Sequence, residues 1–321
     1  MKTALTELLE IEHPVMLAGM GGVSYHALVG AVSEAGGFGC LGASTMQPEE
    51  IVSEIRSVRQ RTAKPFGVDL LTALPAEMMT NVESLIREGA SVFVAGLGVP
   101  RDAVELCHEH GVLVANMCGK VRHASIAVEA GCDFVIAQGT EAGGHTGTVA
   151  TMPLVPQIVD AVGDRVPVVA AGGIFDGRGL AAALALGAAG VWVGTRFIAT
   201  PEARAVPGYK DALLETGEDG TVISRAFTGK TLRAVRNAQT QHFEDHPDEL
   251  HPFPQQLLTA MNGGWMHLGG DEHTVVDPDR ECYPAGQGVG ALLELTPAGE
   301  IVRRMVAEAE DVLLRLASAS P

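Results

Sequence analysis

Short apolar runs bounded by glycine or proline recur through the first two thirds of the chain, and amphipathic segments separate them. The eight runs span residues 14–20, 38–44, 66–72, 91–98, 112–118, 133–141, 166–173 and 190–197. Between two of them, residues 46–62 place Ile51, Ile55 and Val58 three or four positions apart, which predicts a helix with one buried face. Apolar strands that alternate with such helices are typical of a parallel sheet. Eight repeats predict a closed (β/α)8 TIM barrel, with a doubly wound open sheet as the structural alternative.

The alternation of strands and helices ends near residue 200, where prolines, histidines and short polar runs take over. We therefore predict a barrel domain over residues 1–207 and a small, mostly helical segment over residues 208–285, hereafter the cap. Residues 296–318 predict an amphipathic helix that Thr296 can cap and that packs back on the barrel. Its apolar stripe consists of Ile301, Met305, Ala309 and Leu313.

Composition and charge narrow the class of protein. Hydrophobic residues make up 46% of the chain and aromatic residues 4%, so Ala, Val and Leu dominate the expected core. The formal net charge of −17 argues against nucleic acid and anionic membranes as partners, because both attract Lys and Arg. The N-terminal residues lack the apolar core of a signal peptide, no run reaches the length of a membrane span, and the five cysteines lack paired spacing. We expect a cytoplasmic protein with buried free thiols.

Two glycine-containing turns follow the seventh and eighth predicted strands, where loops of such barrels often bind phosphate. Gly172 and Gly173 leave backbone N–H groups uncovered in the first turn, and Gly194 and Thr195 offer a further N–H group and a hydroxyl in the second. Each turn alone is explained equally well by the tight geometry of a strand–helix connection. Their joint occurrence in the phosphate-binding positions of one barrel favours a phosphate site.

A histidine follows the sixth predicted strand in the segment AQGTEAGGHTG, residues 137–147. Gly143 and Gly144 precede His145 and allow the backbone to approach a flat ligand closely. With an ordinary pKa of about 6.5, a histidine can accept or donate a proton at neutral pH. The spacing of metal ligands is missing around His145, and the two histidines within residues 107–110 are expected to be solvated on a helix. We therefore identify His145 as the catalytic candidate, predict no metal site, and expect the other ten of the eleven histidines to be surface or satisfied core residues.

An acid, Asp69, interrupts the otherwise apolar third strand. Burial of a carboxyl group is costly unless the group is paired, hydrogen-bonded or protonated. Asp69 either neutralises a nearby cation at the mouth of the barrel or hydrogen-bonds the polar edge of a ring. We favour the second interpretation.

Seven segments distributed along the chain carry a family pattern. They are PVMLAGMGG, AVSEAGGFGCLGAS, PFGVDLL, AQGTEAGGHTG, PVVAAGGIFDGRGLAAALALGAAGVWVGTRFIAT, GKTLRAVRN and AGQGVG. Together they resemble the nitronate monooxygenases, formerly the 2-nitropropane dioxygenases. They are nearly as similar to the flavin-dependent enoyl-acyl-carrier-protein reductases and to related flavin reductases of CoA thioesters. The succession of EAGGHTG, AAGGIFDGRG and GTRF is specific to this superfamily but does not separate its branches.

The resemblance implies an FMN-dependent barrel enzyme in which His145 is the catalytic residue. It implies a flavin phosphate bound at Gly172, Gly173, Gly194 and Thr195. The residues that it implies beside the flavin ring are Ala18, Gly19, Met20, Gln138, Gly143, Gly144, Gly286 and Gln287. It also implies that residues 229–237 close over the site.

Two positions depart from the family pattern. Asp69 stands where family members typically have Asn, and Lys120 stands where Ser or Thr is usual. We expect both residues to lie near the flavin. A carboxylate beside the flavin pyrimidine would disfavour the anionic reduced form unless it is protonated or hydrogen-bonded. Lys120 would either place a positive charge near the flavin N1 edge or pair with Asp69.

Three functional hypotheses follow. The leading one is an FMN-dependent monooxygenase that converts alkyl nitronates and dioxygen into a carbonyl compound and nitrite, with His145 as the base that takes the α-proton of a neutral nitroalkane. The alternative is an NAD(P)H-dependent reductase of enoyl or other acyl thioesters, which a group of basic residues in the cap supports only weakly: Arg225, Lys230, Arg233 and Arg236. A non-catalytic FMN-binding protein is disfavoured by the placement of His145. A barrel of this size is compatible with a homodimer.

Overall fold

Eight parallel strands form the sheet that the apolar runs predict. The computed structural model of the protein describes residues 1–71, 75–96, 98–267 and 269–319. The strands are β1 (Val15–Leu17), β2 (Gly39–Gly42), β3 (Phe66–Leu71), β4 (Val92–Gly96), β5 (Leu113–Cys118), β6 (Phe134–Gln138), β8 (Val168–Ala171) and β9 (Gly190–Val193). They lie in the order β1-β9-β8-β6-β5-β4-β3-β2, and a bridge between Met16 and Phe38 joins the two ends. The sheet closes on itself, so the prediction of a TIM barrel is confirmed.

Helices connect the strands and cover the outside of the barrel. They are α1 (Ala4–Leu9), α2 (His26–Glu34), α3 (Pro48–Arg61), α4 (Pro75–Arg87), α5 (Arg101–Glu109), α6 (Val121–Glu129), α7 (Thr151–Val162), α8 (Gly177–Ala185) and α9 (Thr195–Ile198). The helix α3 shows why they form. Its first residue is Pro48, whose fixed φ suits a helix start, and its buried face carries the predicted Ile51, Ile55 and Val58.

The core of the barrel is built from alternate residues of the strands. Met16, Cys40, Ile136 and Trp192 belong to one buried cluster inside the sheet, while their neighbours along the strands pack outward against the helices. At the amino end, the Leu5 side chain of α1 belongs to the same inner cluster. The amino end of the barrel is therefore filled, and open space is left to the carboxyl ends of the strands.

The cap contains both helices and strands. Its helices are α10 (Tyr209–Glu215), α11 (Ala238–Asp245) and α12 (Gln255–Asn262). Its strands β10 (Thr221–Ser224) and β11 (Leu232–Val235) pair antiparallel, and β11 also pairs with β7 (Gly144–His145) from the loop after β6. The sequence predicts a mostly helical cap and gives no sign of this small sheet, which joins the cap to the barrel loop that carries His145. The division into residues 1–207 and 208–285 stays a prediction.

The C-terminal helix α13 (Ala298–Ser318) packs against α2 and α8, as predicted. Ile301, Met305 and Ala309 of its stripe are buried. The predicted cap by Thr296 is wrong: Pro297 occupies the N-cap position, and the Ala298 N–H group at the helix start donates to the Glu202 carboxylate, whose two oxygens lie 3.2 Å away. The Thr296 hydroxyl instead accepts a hydrogen bond from the Arg196 guanidinium at 2.6 Å, because the backbone turns one residue later than the sequence suggests.

The five cysteines are free and buried, as expected. Burial raises the pKa of the Cys107, Cys118 and Cys132 thiols to about 12. In the described part of the chain, no helix combines the length and the apolar character that a membrane span requires.

Candidate active site

A cavity of about 420 Å³ opens at the carboxyl ends of the strands. Thirteen of the fifteen residues that the sequence predicts for the site line it: Ala18, Gly19, Met20, Asp69, Gln138, Gly143, Gly144, His145, Gly172, Gly173, Gly194, Thr195 and Gly286. The other two, Lys120 and Gln287, are exposed and do not line it. Residues from the ends of five strands, β1, β3, β6, β8 and β9, therefore meet in one space although they are far apart in sequence.

The turn after β8 has the backbone geometry of an anion site. Gly172 and Gly173 have φ angles of 104° and 71°, a left-handed conformation that favours glycine. Among the described residues, no backbone carbonyl accepts a hydrogen bond from either N–H group. A Cβ on Gly173 would lie 3.2 Å from the Cβ of Glu141, so a side chain there would also crowd the opposite loop. Two adjacent free N–H groups at a cavity wall can bind an anion without a lysine.

The turn after β9 is tied to the segment that precedes α13. The Gly286 N–H donates to the Thr195 hydroxyl oxygen at 2.9 Å, and the Gln287 N–H donates to the Glu141 carbonyl at 2.9 Å. A Cβ on Gly194 would lie 3.3 Å from the Met20 sulfur. The backbone N–H groups of Gly286 and Gln287 therefore join the loops after β9 and β6, whereas the Gln287 side chain is exposed and does not line the cavity.

The loop after β6 is positioned by its glycines and by Gln138. The Gln138 amide Nε2 donates to the His145 carbonyl at 2.7 Å. A Cβ on Gly143 would lie 2.7 Å from the Ala285 carbonyl carbon, so only glycine fits there. Gly144 has a φ of 73°, and a Cβ on it would meet no atom within 4 Å. Gly143 is thus required by packing, and Gly144 by its backbone conformation beside open space.

His145 is held by a hydroxyl from the cap. Its Nε2 lies 3.0 Å from the Thr228 Oγ1, and its backbone pairs with Leu232 of β11. Burial of the imidazole lowers the pKa of His145 below 6.5, and the positive charge of Lys230 lowers it further. His145 is therefore neutral at neutral pH and able to accept a proton.

Asp69 faces the cavity from β3, and its side chain packs against Gly19, which follows β1. A Cβ on Gly19 would lie 2.3 Å from the Asp69 Cβ, so the glycine is required by the side chain beside it. Burial raises the pKa of Asp69 to about 8. Lys120 is exposed at the N-cap of α6, and within the described ranges it forms no ion pair with Asp69. The pairing predicted as one alternative for these residues is absent, and burial instead favours the protonated form of Asp69.

Sequence reasoning missed two groups at the site. Thr228 carries no local signal because its contact with His145 spans 83 positions. His267 and Glu281 both line the cavity and pair at 2.7 Å, although His267 was expected to be a surface or satisfied residue. The histidines of residues 107–110 lie outside the cavity, where His108 pairs with Asp133 at 3.0 Å. Across the described ranges, no cluster of three His, Cys, Asp or Glu side chains is suited to a metal.

Comparison with known proteins places the chain in one family. A family model described as nitronate monooxygenase matches residues 2–81 and 76–308. The chain is 43% identical over 245 residues to (3aS,4S,5R,7aS)-5-hydroxy-7a-methyl-1-oxo-octahydro-1H-indene-4-carboxyl-CoA dehydrogenase of Mycobacterium tuberculosis, covering 76% of this chain and 69% of that one.

Two solved structures are similar over nearly the full length. FabK from Thermotoga maritima is 35% identical with a TM-score of 0.89, and 99% of each chain is covered. A nitroalkane oxidase from Streptomyces ansochromogenes is 30% identical with a TM-score of 0.84, covering 98% of this chain and 100% of that one. With a closed barrel, a neutral histidine at its mouth and these relatives, the chain belongs to the nitronate monooxygenase family and is a flavin-dependent oxidoreductase.

Proposed function

We propose that the cavity binds FMN, with its phosphate on the turns after β8 and β9. Three observations support this fit. The N–H groups of Gly172 and Gly173 suit a phosphate. The Thr195 hydroxyl oxygen already accepts from Gly286, which leaves its proton available to a phosphate oxygen. The open space beside Gly144 allows a flat ring to approach the backbone.

We further propose that the protein oxidises alkyl nitronates to a carbonyl compound and nitrite, with dioxygen as co-substrate. The observation that carries this proposal is the neutral His145 at the cavity wall, because a neutral imidazole can take the acidic α-proton of a nitroalkane and produce the nitronate. Bound flavin supplies the electron transfer between the nitronate and dioxygen.

The contacts of Thr228 decide which nitrogen of His145 accepts the proton. The Thr228 hydroxyl donates to the Lys230 carbonyl at 3.3 Å, and its oxygen also accepts from the Lys230 N–H at 3.2 Å. Because the one hydroxyl proton has this acceptor, the His145 Nε2–H donates to Thr228 Oγ1. The lone pair of Nδ1 is then free, and we assign Nδ1 as the base. Once protonated, the imidazolium lies near Lys230, which favours release of the proton.

Asp69 contributes a neutral carboxyl group to the same cavity. With a pKa of about 8 it is a hydrogen-bond donor at neutral pH, as the amide of Asn would be. The substitution of Asp for the family's usual Asn therefore keeps a donor at this position. Above the pKa of Asp69 the donor is replaced by a charge.

Anaerobic spectroscopy of the purified flavoprotein tests this function. We expect propionate 3-nitronate alone to bleach the flavin absorbance, and we expect NADH or NADPH alone to leave it unchanged. Bleaching by nicotinamide, followed by reoxidation with crotonyl thioester, would contradict the proposal and establish the reductase.

One observation favours a second candidate, an oxidoreductase of acyl thioesters. The relative that is 43% identical acts on a CoA thioester according to its name. The α-proton of a thioester is also within reach of a neutral imidazole base. The basic residues of the cap add little, since Arg233 is buried and donates to the Thr140 carbonyl, while Arg236 pairs with Glu244.

A further inference from the structure

A second histidine forms part of the cavity wall, and its neighbour is a buried carboxylate. The His267 Nδ1–H donates to the Glu281 Oε2 at 2.7 Å, and the His267 backbone N–H donates to Oε1 at 3.0 Å. Glu281 is only 1% exposed, whereas the imidazole of His267 keeps 26% of its surface exposed. The carboxylate is therefore enclosed, and the imidazole lies between it and open space.

The segment that carries His267 is fixed over the first loop of the barrel. The Arg204 guanidinium donates to the Gly269 carbonyl at 2.8 Å, and a Cβ on Gly22 would lie 3.3 Å from the Gly269 nitrogen. On the other side, the Cys282 N–H donates to the Trp265 carbonyl at 2.9 Å. The backbone on both sides of the pair is thus held in place, and the imidazole itself is oriented by its hydrogen bond to Glu281.

The electrostatic setting of His267 is the reverse of that of His145. A buried carboxylate is costly without a counter-charge, and His267 is the one basic side chain within ion-pair distance of Glu281 in the described part of the chain. Glu281 therefore places a negative charge beside His267, whereas His145 lies near the positive charge of Lys230. Two histidines in such different surroundings can divide the roles of base and anion binding between them.

The second ring nitrogen of His267 is available to a ligand. No hydrogen-bond partner for Nε2 lies among the described residues, and the atom is not buried. We propose that His267, held by Glu281, binds the anionic oxygens of the nitronate through its Nε2–H. This inference rests on the proposed function for the identity of the anion, but the binding site itself does not depend on turnover.

Binding of inert analogues to the flavin-loaded protein tests the inference. Isobutyrate is a carboxylate analogue of the nitronate of 2-nitropropane, and isobutyramide is its neutral counterpart. Dissociation constants are measured from the change in the visible flavin spectrum and from calorimetry at neutral pH. We expect His267→Gln to weaken isobutyrate binding by about tenfold or more, because a charge-assisted hydrogen bond is lost. Isobutyramide binding should change by less than about twofold.

The chain offers a matched control at His26. Its Nδ1 and its backbone N–H both contact Glu54 Oε2 at 2.8 Å, which repeats the His267–Glu281 arrangement outside the cavity. His26→Gln should leave both dissociation constants unchanged. Glu281→Gln should weaken isobutyrate binding as His267→Gln does, and if that variant fails to fold, His267→Gln alone decides.

The outcomes separate this inference from the proposed function. Unchanged isobutyrate binding in a folded, flavin-loaded His267→Gln protein would overturn the anion site, even if nitronates are oxidised. If His267→Gln lost isobutyrate binding while the wild-type protein did not oxidise nitronates, the anion site would be supported and the proposed function would be rejected. In steady-state assays, a higher KM for nitronate in His267→Gln than in the wild type, with little change in kcat, would support the site as well.

Discussion

The barrel and the cap contribute to the same cavity with different chemical means. The barrel lines it largely with backbone, and the conformations of Gly172 and Gly173 present N–H groups beside the open space. The cap supplies side chains: Thr228 contacts His145, and His267 adds a second imidazole. We infer that cofactor binding resides in the barrel and that proton transfer and substrate charge are adjusted from the cap.

The two regions meet where β11 pairs with β7. Leu232 lies opposite His145 in this sheet, and the buried Arg233 donates to the Thr140 carbonyl at 3.0 Å. His145 therefore belongs to the barrel in sequence but is aligned by the cap. A change confined to either region should affect cofactor binding or proton transfer, but not both.

The largest effect is expected from Gly173→Asp in the barrel. The backbone φ of 71° would be strained for any residue with a side chain, and the new Cβ would lie 3.2 Å from the Glu141 Cβ. The new carboxylate would also place a negative charge where we propose the phosphate. We expect colourless protein, measured as the ratio of flavin to protein absorbance. Gly111→Asp is the control, since Gly111 has a φ of 70°, open surroundings and no place in the cavity. Full flavin retention in Gly173→Asp would contradict the barrel's assigned role.

The second largest effect is expected from His145→Gln, at the point where the barrel and the cap meet. We expect oxidation of neutral nitroalkane to fall at least about 100-fold, since the base is lost, while flavin content and oxidation of preformed nitronate are retained. The wild-type rate on neutral nitroalkane should rise with pH through a pKa below 6.5, because the base acts in its neutral form. Equal loss with both substrates would show that His145 does not act as the base.

A third prediction concerns Asp69 in flavin-free protein. The pKa of this carboxyl is about 8 in the folded state against 3.8 in the unfolded state, so the folded protein binds the proton more tightly between these values. The associated stability is present below pH 3.8 and is lost as the pH rises through 8. Relative to Asp69→Asn, the wild type should lose up to ~1.4 kcal/mol of unfolding free energy per pH unit in this window. The unfolding free energies of the wild type and of Asp69→Asn are measured by denaturant titration over this pH range. If the two change in parallel with pH, Asp69 is not buried as described.

The smallest effect is expected from Thr228→Val in the cap. Loss of the hydroxyl that holds His145 Nε2 should reduce kcat/KM for neutral nitroalkane by about fivefold, which corresponds to about 1 kcal/mol for one hydrogen bond. Thr228→Ser keeps the hydroxyl and should therefore keep the wild-type rate. In Thr228→Val, the pKa seen in the pH–rate profile should shift. A rate change without movement of that pKa would point to a packing defect.

The regular part of the fold was accessible from sequence because its signals are local. Each strand of the barrel lies within a predicted apolar run, and α3 buries the three residues that its periodicity selects. The glycines at the cavity were found because they occur directly after strands, and the fold brings the ends of parallel strands together.

The remaining features depend on contacts between distant segments. The β7–β11 pairing joins two short runs in which the paired residues His145 and Leu232 are 87 positions apart, and neither run is long enough for an alternating pattern to predict a strand. His267 and Glu281 lie in a polar segment without periodicity, so nothing local distinguished them from solvated residues. Lys120 was assigned to the site by its place in a motif, but its side chain is exposed at the start of α6.

The content and identity of the bound flavin test the central claim most directly. Flavin released by heating the purified protein is identified by chromatography, and flavin-free protein is titrated with FMN. We predict one FMN per chain, saturable binding to the flavin-free protein, and none of this in Gly173→Asp. A folded protein that contains no flavin and takes up no FMN would contradict the account.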